Sequence, residues 1–388
     1  MRNVERQSIR VVIGAASLIK PLTGIGVYTL NLSKVLSMHP NLNIEYLYAN
    51  KRSKALETVN APLLSKIKKL ISRYIPRAYH VRQAMEQYVF NSGLGEKKFD
   101  LYHEPNFIPK KFDGPTVITV HDLSYIRFPE AHPAARVKMM EEMLPAAIVA
   151  ADCIIADSYS TKREIMLEFD VPDEKIHVTH LGKAEGFYPR LQPEVIEVTK
   201  KYSLVSGEYN VVVGTIEPRK NLIQAIRAYK LLPDEVSKRF PLAIIGARGW
   251  KETGVLSELN ALVEQDKVKM LGYVDSEDLP MLYTGARCLL FPSMYEGFGL
   301  PVLESMACGT PVVACNSSSI PEVIGDAGML VEVGDAQGMK DCIERLCFDD
   351  AERSRLSGVG LVQAEKFSWE NCAEQTYAAY LYALEHAR

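Results

Sequence analysis

Short apolar, β-branched runs alternate with stretches of helical period from one end of this sequence to the other. In the first half the runs are Ile9–Gly14, Asn43–Tyr48, Thr116–His121, Asp152–Ala156 and Ile176–His180. In the second half they are Asn210–Ile216, Pro241–Gly246, Lys267–Gly272, Arg287–Pro292, Pro311–Cys315 and Gly328–Val333. Near-continuous apolar strands are buried on both faces, which is the habit of a parallel sheet, and amphipathic segments such as Leu222–Leu232 and Asp335–Leu346 supply the covering helices. The series runs twice, restarting after Tyr188-Pro189-Arg190, with the polar stretch around Arg190–Gly207 as the join. A last helix opens on Ser368 as its N-cap and runs through Trp369 to about Glu385. The pattern predicts an α/β chain of two domains, residues 1–195 and 205–367, each built on a parallel sheet.

Composition supports this and removes some functions. The 388 residues exceed one ordinary core and suit two. A chain 47% hydrophobic and 24% charged, with a net charge of −3, is globular and lacks the basic surplus of a nucleic-acid binder. Seven scattered cysteines form no CxxC pair, so they read as buried thiols in a reducing compartment, not as a zinc or redox site. The first residues enter a strand-like run at once, without the apolar region of a signal peptide, and no apolar run approaches the roughly 20 residues that span a bilayer. The expected location is the cytoplasm.

Parallel sheets bind ligands beyond the carboxyl ends of their strands, where helices begin. Four such loops carry unusual chemistry. Gly24-Ile25-Gly26 follows the first strand; its glycines permit close approach and positive φ, although a glycine at Thr29 would be needed for the dinucleotide fingerprint. His121-Asp122 ends Thr116–Val120, where a histidine serves either a ligand or a neighbouring backbone group. Glu217-Pro218-Arg219-Lys220-Asn221 sets two cations at the start of a helix with Asn221 as N-cap. They oppose the helix dipole unless an anion such as a diphosphate joins them. The segment Glu296–Pro311 reads as glycine loop, short helix and next strand, with Pro301 in the first turn and Gly309 at the stop. Its Glu296 and Glu304 are acceptors suited to sugar hydroxyls, one for a sugar and one for a ribose.

Glu296, seven intervening residues and Glu304, within EGFGLPVLESMACGTPVV, resemble the paired-glutamate signature of the retaining family-four glycosyltransferases. EPRKN at Glu217–Asn221, GIG at Gly24–Gly26, HDL at His121–Leu123, SYST at Ser158–Thr161, LGYV at Leu271–Val274 and FSWENCA at Phe367–Ala373 match the same family in type and order. The resemblance covers almost the whole chain and is weakest over residues 50–99. It implies the GT-B fold: two facing Rossmann-like domains, with the final helix, 368–388, crossing back to the first. It also implies roles. Arg219 and Lys220 neutralise the departing diphosphate. Glu304 binds the ribose. Glu296, with backbone N–H groups around Phe298, Gly299 and Leu300, holds the donor sugar and a phosphate. Gly24 and Gly26 approach the diphosphate from the other domain, His121 bonds a sugar hydroxyl, and Tyr273 and Val274 line the base pocket.

No DxD motif is present, so the expected reaction needs no metal and no cofactor beyond the nucleotide-sugar donor. Arg219, Lys220 and helix N-termini provide the positive field instead. The family retains the anomeric configuration, which points to a front-side route. HDLSYIRFPEAHP most resembles bacterial mannosyltransferases of O-antigen and exopolysaccharide assembly, which favours GDP-mannose and a glycan or lipid-linked glycan acceptor. Rhamnosyl, glucosyl, galactosyl and N-acetylglucosaminyl transfer, from UDP- or dTDP-sugars, share the same frame. Between 63 and 75, Leu63, Leu64, Ile67, Leu70, Ile71, Tyr74 and Ile75 recur at helical spacing among Lys66, Lys68, Lys69 and Arg73. Such a helix either lies on the inner face of an anionic membrane or packs in the core with a solvated basic side. A silent sugar-nucleotide-binding subunit is the rival outside catalysis, and the presence of both glutamates and both cations speaks against it.

Overall fold

A computed structural model describes residues 8–20, 22–48, 51–58, 78–246 and 253–387. The amphipathic segment 63–75 lies outside the described residues. The first sheet has seven strands: β1 (Ile9–Gly14), β2 (Leu42–Tyr48), β3 (Lys51–Ser53), β4 (Leu101–Glu104), β5 (Thr116–Val120), β6 (Cys153–Ala156) and β7 (Ile176–Val178). Their order is β3-β2-β1-β4-β5-β6-β7, parallel except for the β2–β3 edge pair. The second has six: β8 (Asn210–Val213), β9 (Leu242–Ile245), β10 (Val268–Gly272), β11 (Leu289–Phe291), β12 (Val312–Cys315) and β13 (Gly328–Val331), in the order β10-β9-β8-β11-β12-β13. Both sheets place their first strand centrally and reverse the strand order beside it, so each has the switch-point geometry of a Rossmann-like domain. Val11, Val12 and Val117 in the first sheet, and Leu289, Leu290 and Val312 in the second, are fully buried, as strands covered on both faces require.

Five helices position the chemistry. They are α1 (Gly24–Leu36), α2 (Tyr159–Phe169), α3 (Leu222–Leu231), α4 (Leu300–Ala307) and α5 (Trp369–Glu385). Ser158 Oγ caps α2 by accepting from Thr161 N at 3.1 Å, and Ser368 Oγ caps α5 by accepting from Asn371 N at 3.1 Å. Helix α5 returns across the chain to pack on α1 and on β5, β6 and β7. There Tyr380, fully buried, bonds His103 Nδ1 at 2.8 Å, and His103 Nε2 bonds Thr119 Oγ1 at 2.9 Å. The fold is GT-B, with the last helix crossing back to the first domain as expected.

Several local expectations need correction. Strand β4 was not foreseen although it lies between β1 and β5, because Leu101–Glu104 is only four residues long and half of them are polar. Asn221 does not cap α3. It sits in the left-handed region at φ 50° after a 3-10 turn over Pro218–Lys220, and its amide bonds Gln224 Oε1 and Pro292 O instead. Gly24 and Gly26 use no positive φ, since α1 begins at Gly24. Gly26 is small for a different reason: a Cβ there would stand 2.7 Å from the Ser17 carbonyl oxygen. All seven cysteines are free thiols and six are buried, which agrees with the sequence. Among the described residues, no helix is long and apolar enough to cross a membrane.

Candidate active site

The loop after β8 and the loop after β11 meet at the carboxyl edge of the second sheet. Arg219 donates to Glu296 Oε2 at 3.0 Å, to Glu217 Oε1 at 2.7 Å and to the Tyr295 carbonyl at 2.7 Å. Lys220 Nζ donates to Glu296 Oε1 at 2.6 Å. The two cations that oppose the dipole of α3 thus close on one carboxylate, 77 residues beyond Arg219 and 76 beyond Lys220. Glu296 is only 9% exposed. Burial alone would raise its pKa, but the Lys220 and Arg219 charges outweigh burial and hold it below the usual range. The same carboxylates outweigh the burial of Arg219 and keep its guanidinium firmly charged. Among the described residues, Arg219 Nε is buried without a hydrogen-bond partner.

Glu296 opens a tight turn into α4. Gly299, the residue before the helix, has φ 119°, a conformation that favours glycine, and Pro301 occupies the first turn. Phe298 is buried and rests against His180, with ring centroids 6.1 Å apart. Glu304 projects from α4 one turn on, where Tyr283 O–H donates to it at 3.2 Å. Burial pushes the Glu304 carboxyl up to about 8, against the pull of that hydroxyl. Val274 is buried beyond β10, whereas the Tyr273 ring is 82% exposed.

His121 faces this cluster from the end of β5. Its Nδ1 lies 2.7 Å from Asp157 Oδ2, at the end of β6, and its Nε2 lies 2.9 Å from the Pro105 carbonyl. Both partners are acceptors, so both ring nitrogens need a proton: the pair holds one proton more than a neutral imidazole beside a carboxylate. Burial opposes that charge, but Asp157 and the Pro105 carbonyl prevail and raise the imidazole above its ordinary value. A sugar hydroxyl therefore reaches Nε2 only by displacing the Pro105 carbonyl. Gly24 lies exposed at the start of α1, and a Cβ there would meet nothing within 4 Å among the described residues.

The two domains touch across these groups. A Cβ on Gly297 would stand 2.0 Å from the His121 carbonyl oxygen, so only glycine lets the loop this close. The Tyr295 hydroxyl, carried next to Glu296, reaches into the first domain, donating to Glu164 Oε2 at 2.5 Å and accepting from Leu123 N at 2.8 Å. Glu322 of the second domain accepts from Tyr159 N, at the start of α2, at 2.9 Å and pairs with His180 Nε2 at 2.5 Å. Arg219, Lys220, Glu296 and His121 are thereby brought into one region, with Glu304 a helical turn behind Glu296. Asp157, Tyr295, Glu164 and Glu322 were missed in the sequence. Asp157 left a usable signal, because it ends its strand at the same edge as His121.

Comparison with known proteins agrees with the two-domain fold. Residues 22–182 match the model of Glycosyltransferase Family 4, and residues 199–359 match that of Glycosyl transferases group 1. The chain is 36% identical over 387 residues to the O-antigen chain mannosyltransferase B of Escherichia coli, covering 96% of this chain and 99% of that one. It is 30% identical over 280 residues to the serotype-specific mannosyltransferase WbdA of the same organism, where it spans about a third (34%) of the relative's length. Sucrose-phosphate synthase from Thermosynechococcus elongatus superposes with a TM-score of 0.72 at 21% identity, covering 97% of this chain and 98% of that one. WaaG, a glycosyltransferase of lipopolysaccharide biosynthesis, gives 0.70 at 16% identity, covering 96% and 99%. These structural likenesses speak to the fold.

Proposed function

This chain belongs to the glycosyltransferases of group 1 and family 4, and we propose that within that family it moves mannose from GDP-mannose, with retention, onto a growing lipid-linked bacterial surface glycan. The observation that carries the proposal is the buried Arg219–Lys220–Glu296 cluster held against His121 by the domain contact. A diphosphate entering there meets the Arg219 and Lys220 cations that otherwise close on Glu296. Mannose and an O-antigen acceptor are supported by the name of the E. coli relative that aligns end to end.

In the proposed reaction the acceptor hydroxyl oxygen bonds to the anomeric carbon as the bond from that carbon to the phosphate oxygen breaks. The electron pair stays on the phosphate, and that oxygen takes the acceptor's proton, so the stereochemistry is kept. Arg219 and Lys220 stabilise the charge that grows on the leaving diphosphate, in a site from which the closed domains exclude water. Glu296 releases the cations to the diphosphate and turns to the sugar hydroxyls, while Glu304 takes the ribose. The charge of His121 is balanced by Asp157, 2.7 Å away, so its part is to offer Nε2–H to a sugar hydroxyl once the Pro105 carbonyl is displaced. Positive charge from side chains serves where other transferases use a metal ion, so the reaction should persist in EDTA.

The test is turnover of GDP-mannose by the full chain in EDTA, with a thermal-shift panel of GDP-, UDP-, dTDP- and ADP-sugars. A shift with GDP-mannose, lost in Arg219→Ala and in Glu304→Ala, and an α-linked product by NMR support the proposal. A shift confined to UDP-sugars overturns the donor, and a trapped covalent mannosyl–enzyme overturns the front-side route.

A further inference from the structure

Between the loop after β5 and the turn after β8 lies a cavity of about 140 Å³, lined by Glu130, His132 and Pro133 from the first domain and by Glu217 and Pro218 from the second. One water needs only about 10–15 Å³ of such space, so the cavity is open to something much larger. It is distinct from the Glu296 loop but adjoins it, because Glu217 is bonded to Arg219 at 2.7 Å. The cleft therefore opens beside the cation assigned to the leaving diphosphate. A front-side transfer requires the acceptor oxygen on that same side.

The hydrogen-bond chain behind His132 fixes what it can do. Ser124 Oγ donates its only hydrogen to Asp122 Oδ1 at 2.6 Å, so towards His132 Nε2, 2.9 Å away, it can only accept. Nε2 must carry the proton. Burial and the nearby Arg136 and Arg219 charges, against Asp122 and Glu217, lower the pKa of His132 and keep the ring neutral. Nδ1 is then a lone-pair acceptor. Two carboxylates and this nitrogen make a cleft that is rich in acceptors, whose natural donors are neutral hydroxyl groups.

We propose that this cleft is the acceptor subsite and that it takes an uncharged hexose through its hydroxyls, held by Glu130, Glu217 and His132, while Glu130, the carboxylate that Arg219 does not neutralise, disfavours sugars that carry a carboxylate. The assignment of the transfer side rests on the function proposed above. The chemistry of the cleft stands on its own residues. Glu130 is exposed, in a short turn that ends before His132, so replacing it does not disturb the core.

The experiment is saturation-transfer NMR on the full chain with octyl α-mannopyranoside and its C6-carboxylate counterpart, beside a GDP thermal shift on the same samples. The expected result is transfer to the neutral glycoside alone in the wild type, at least a tenfold loss of its affinity in Glu130→Ala and in His132→Gln, and uptake of the carboxylate by Glu130→Lys. The GDP shift should be the same in all four proteins. The proposal is overturned by an unchanged affinity for the neutral glycoside in both variants, by equal binding of the two glycosides to the wild type, or by no signal from either at millimolar concentration. A missing GDP shift in the wild type would sink the donor assignment alone, since the glycoside signals still decide this one.

Discussion

Replacing Glu296 by Gln asks what this carboxylate does before the donor arrives. Its side chain is 10% exposed, and those of Arg219 and Lys220 are 15% and 19% exposed. Removing one member of such a buried ion pair costs about 3–5 kcal/mol, because the remaining charge is left uncompensated. Glutamine keeps the shape and one acceptor oxygen, so the lower end, about 3 kcal/mol, applies. For domains of this size each kcal/mol is worth about 2–4 °C, which predicts an apparent Tm lower by about 6–12 °C. The more telling quantity is the response to inorganic pyrophosphate. In the wild type the anion competes with Glu296 for the two cations; in Glu296→Gln it has them to itself. If all of the lost stabilisation returns on binding, pyrophosphate affinity rises by up to about 100-fold. Mannosyl transfer should fall at the same time, since the sugar loses a hydroxyl acceptor. Differential scanning fluorimetry across a pyrophosphate titration, backed by calorimetry, reads both effects. A variant whose pyrophosphate shift is no larger than that of the wild type would refute the idea that Glu296 holds the place of an anion.

Four further outcomes follow from the same geometry. Because burial raises Glu304 to about 8, the proposed binding of a ribose to its carboxylate at pH 7 would expel a proton. GDP binding heats should then vary with the ionisation heat of the buffer, affinity should rise with pH between 6 and 8, and Glu304→Gln should abolish both. Asp157→Asn should strip the extra proton from His121, seen as the loss of one ring N–H in nitrogen NMR at pH 7. Since the folded pKa of His121 is raised, its contribution to stability is complete below about 6.5 and is lost as pH climbs through the folded value. Tyr295→Phe removes the hydroxyl shared by Leu123 and Glu164, so scattering should show a more open molecule, and a larger share of donor turnover should go to water than to acceptor. Tyr380→Phe leaves His103 Nδ1 unpaired in the core and should lower stability by about 1–3 kcal/mol in urea titration, with little change in the KM for donor.

The strands and the ordered loops were legible because their signal is local. An apolar run with glycine and proline at its ends declares itself within ten residues, and so do the Ser158 and Ser368 caps. Strand β4 was hidden because His103 and Glu104 break its apolar pattern. What makes a buried histidine acceptable there is Tyr380, 277 residues away, and no local pattern can show that partner. The site divides along the same line. Arg219, Lys220, Glu296 and Glu304 were readable by type and spacing, but the pairing of the first three with one another was not. It depends on the two loops lying side by side on adjacent strands, β8 and β11. Asn221 shows the opposite failure: a favourable cap residue took the left-handed corner of the chain, which asparagine also tolerates.

The returning helix α5 bears on how the molecule is made. The first sheet is complete in sequence at β7, yet one of its covering layers is Trp369–Glu385, synthesised some two hundred residues later. At ribosomal rates of about 5–20 residues per second, the apolar floor under α5 waits roughly 10–40 s for its cover. During that interval Tyr28, Cys153 and Ile155, all buried in the finished protein, lack part of their packing. The amino-terminal half is therefore the part that a nascent-chain chaperone would need to hold, and a carboxyl-terminal deletion would be felt first at the opposite end of the sequence.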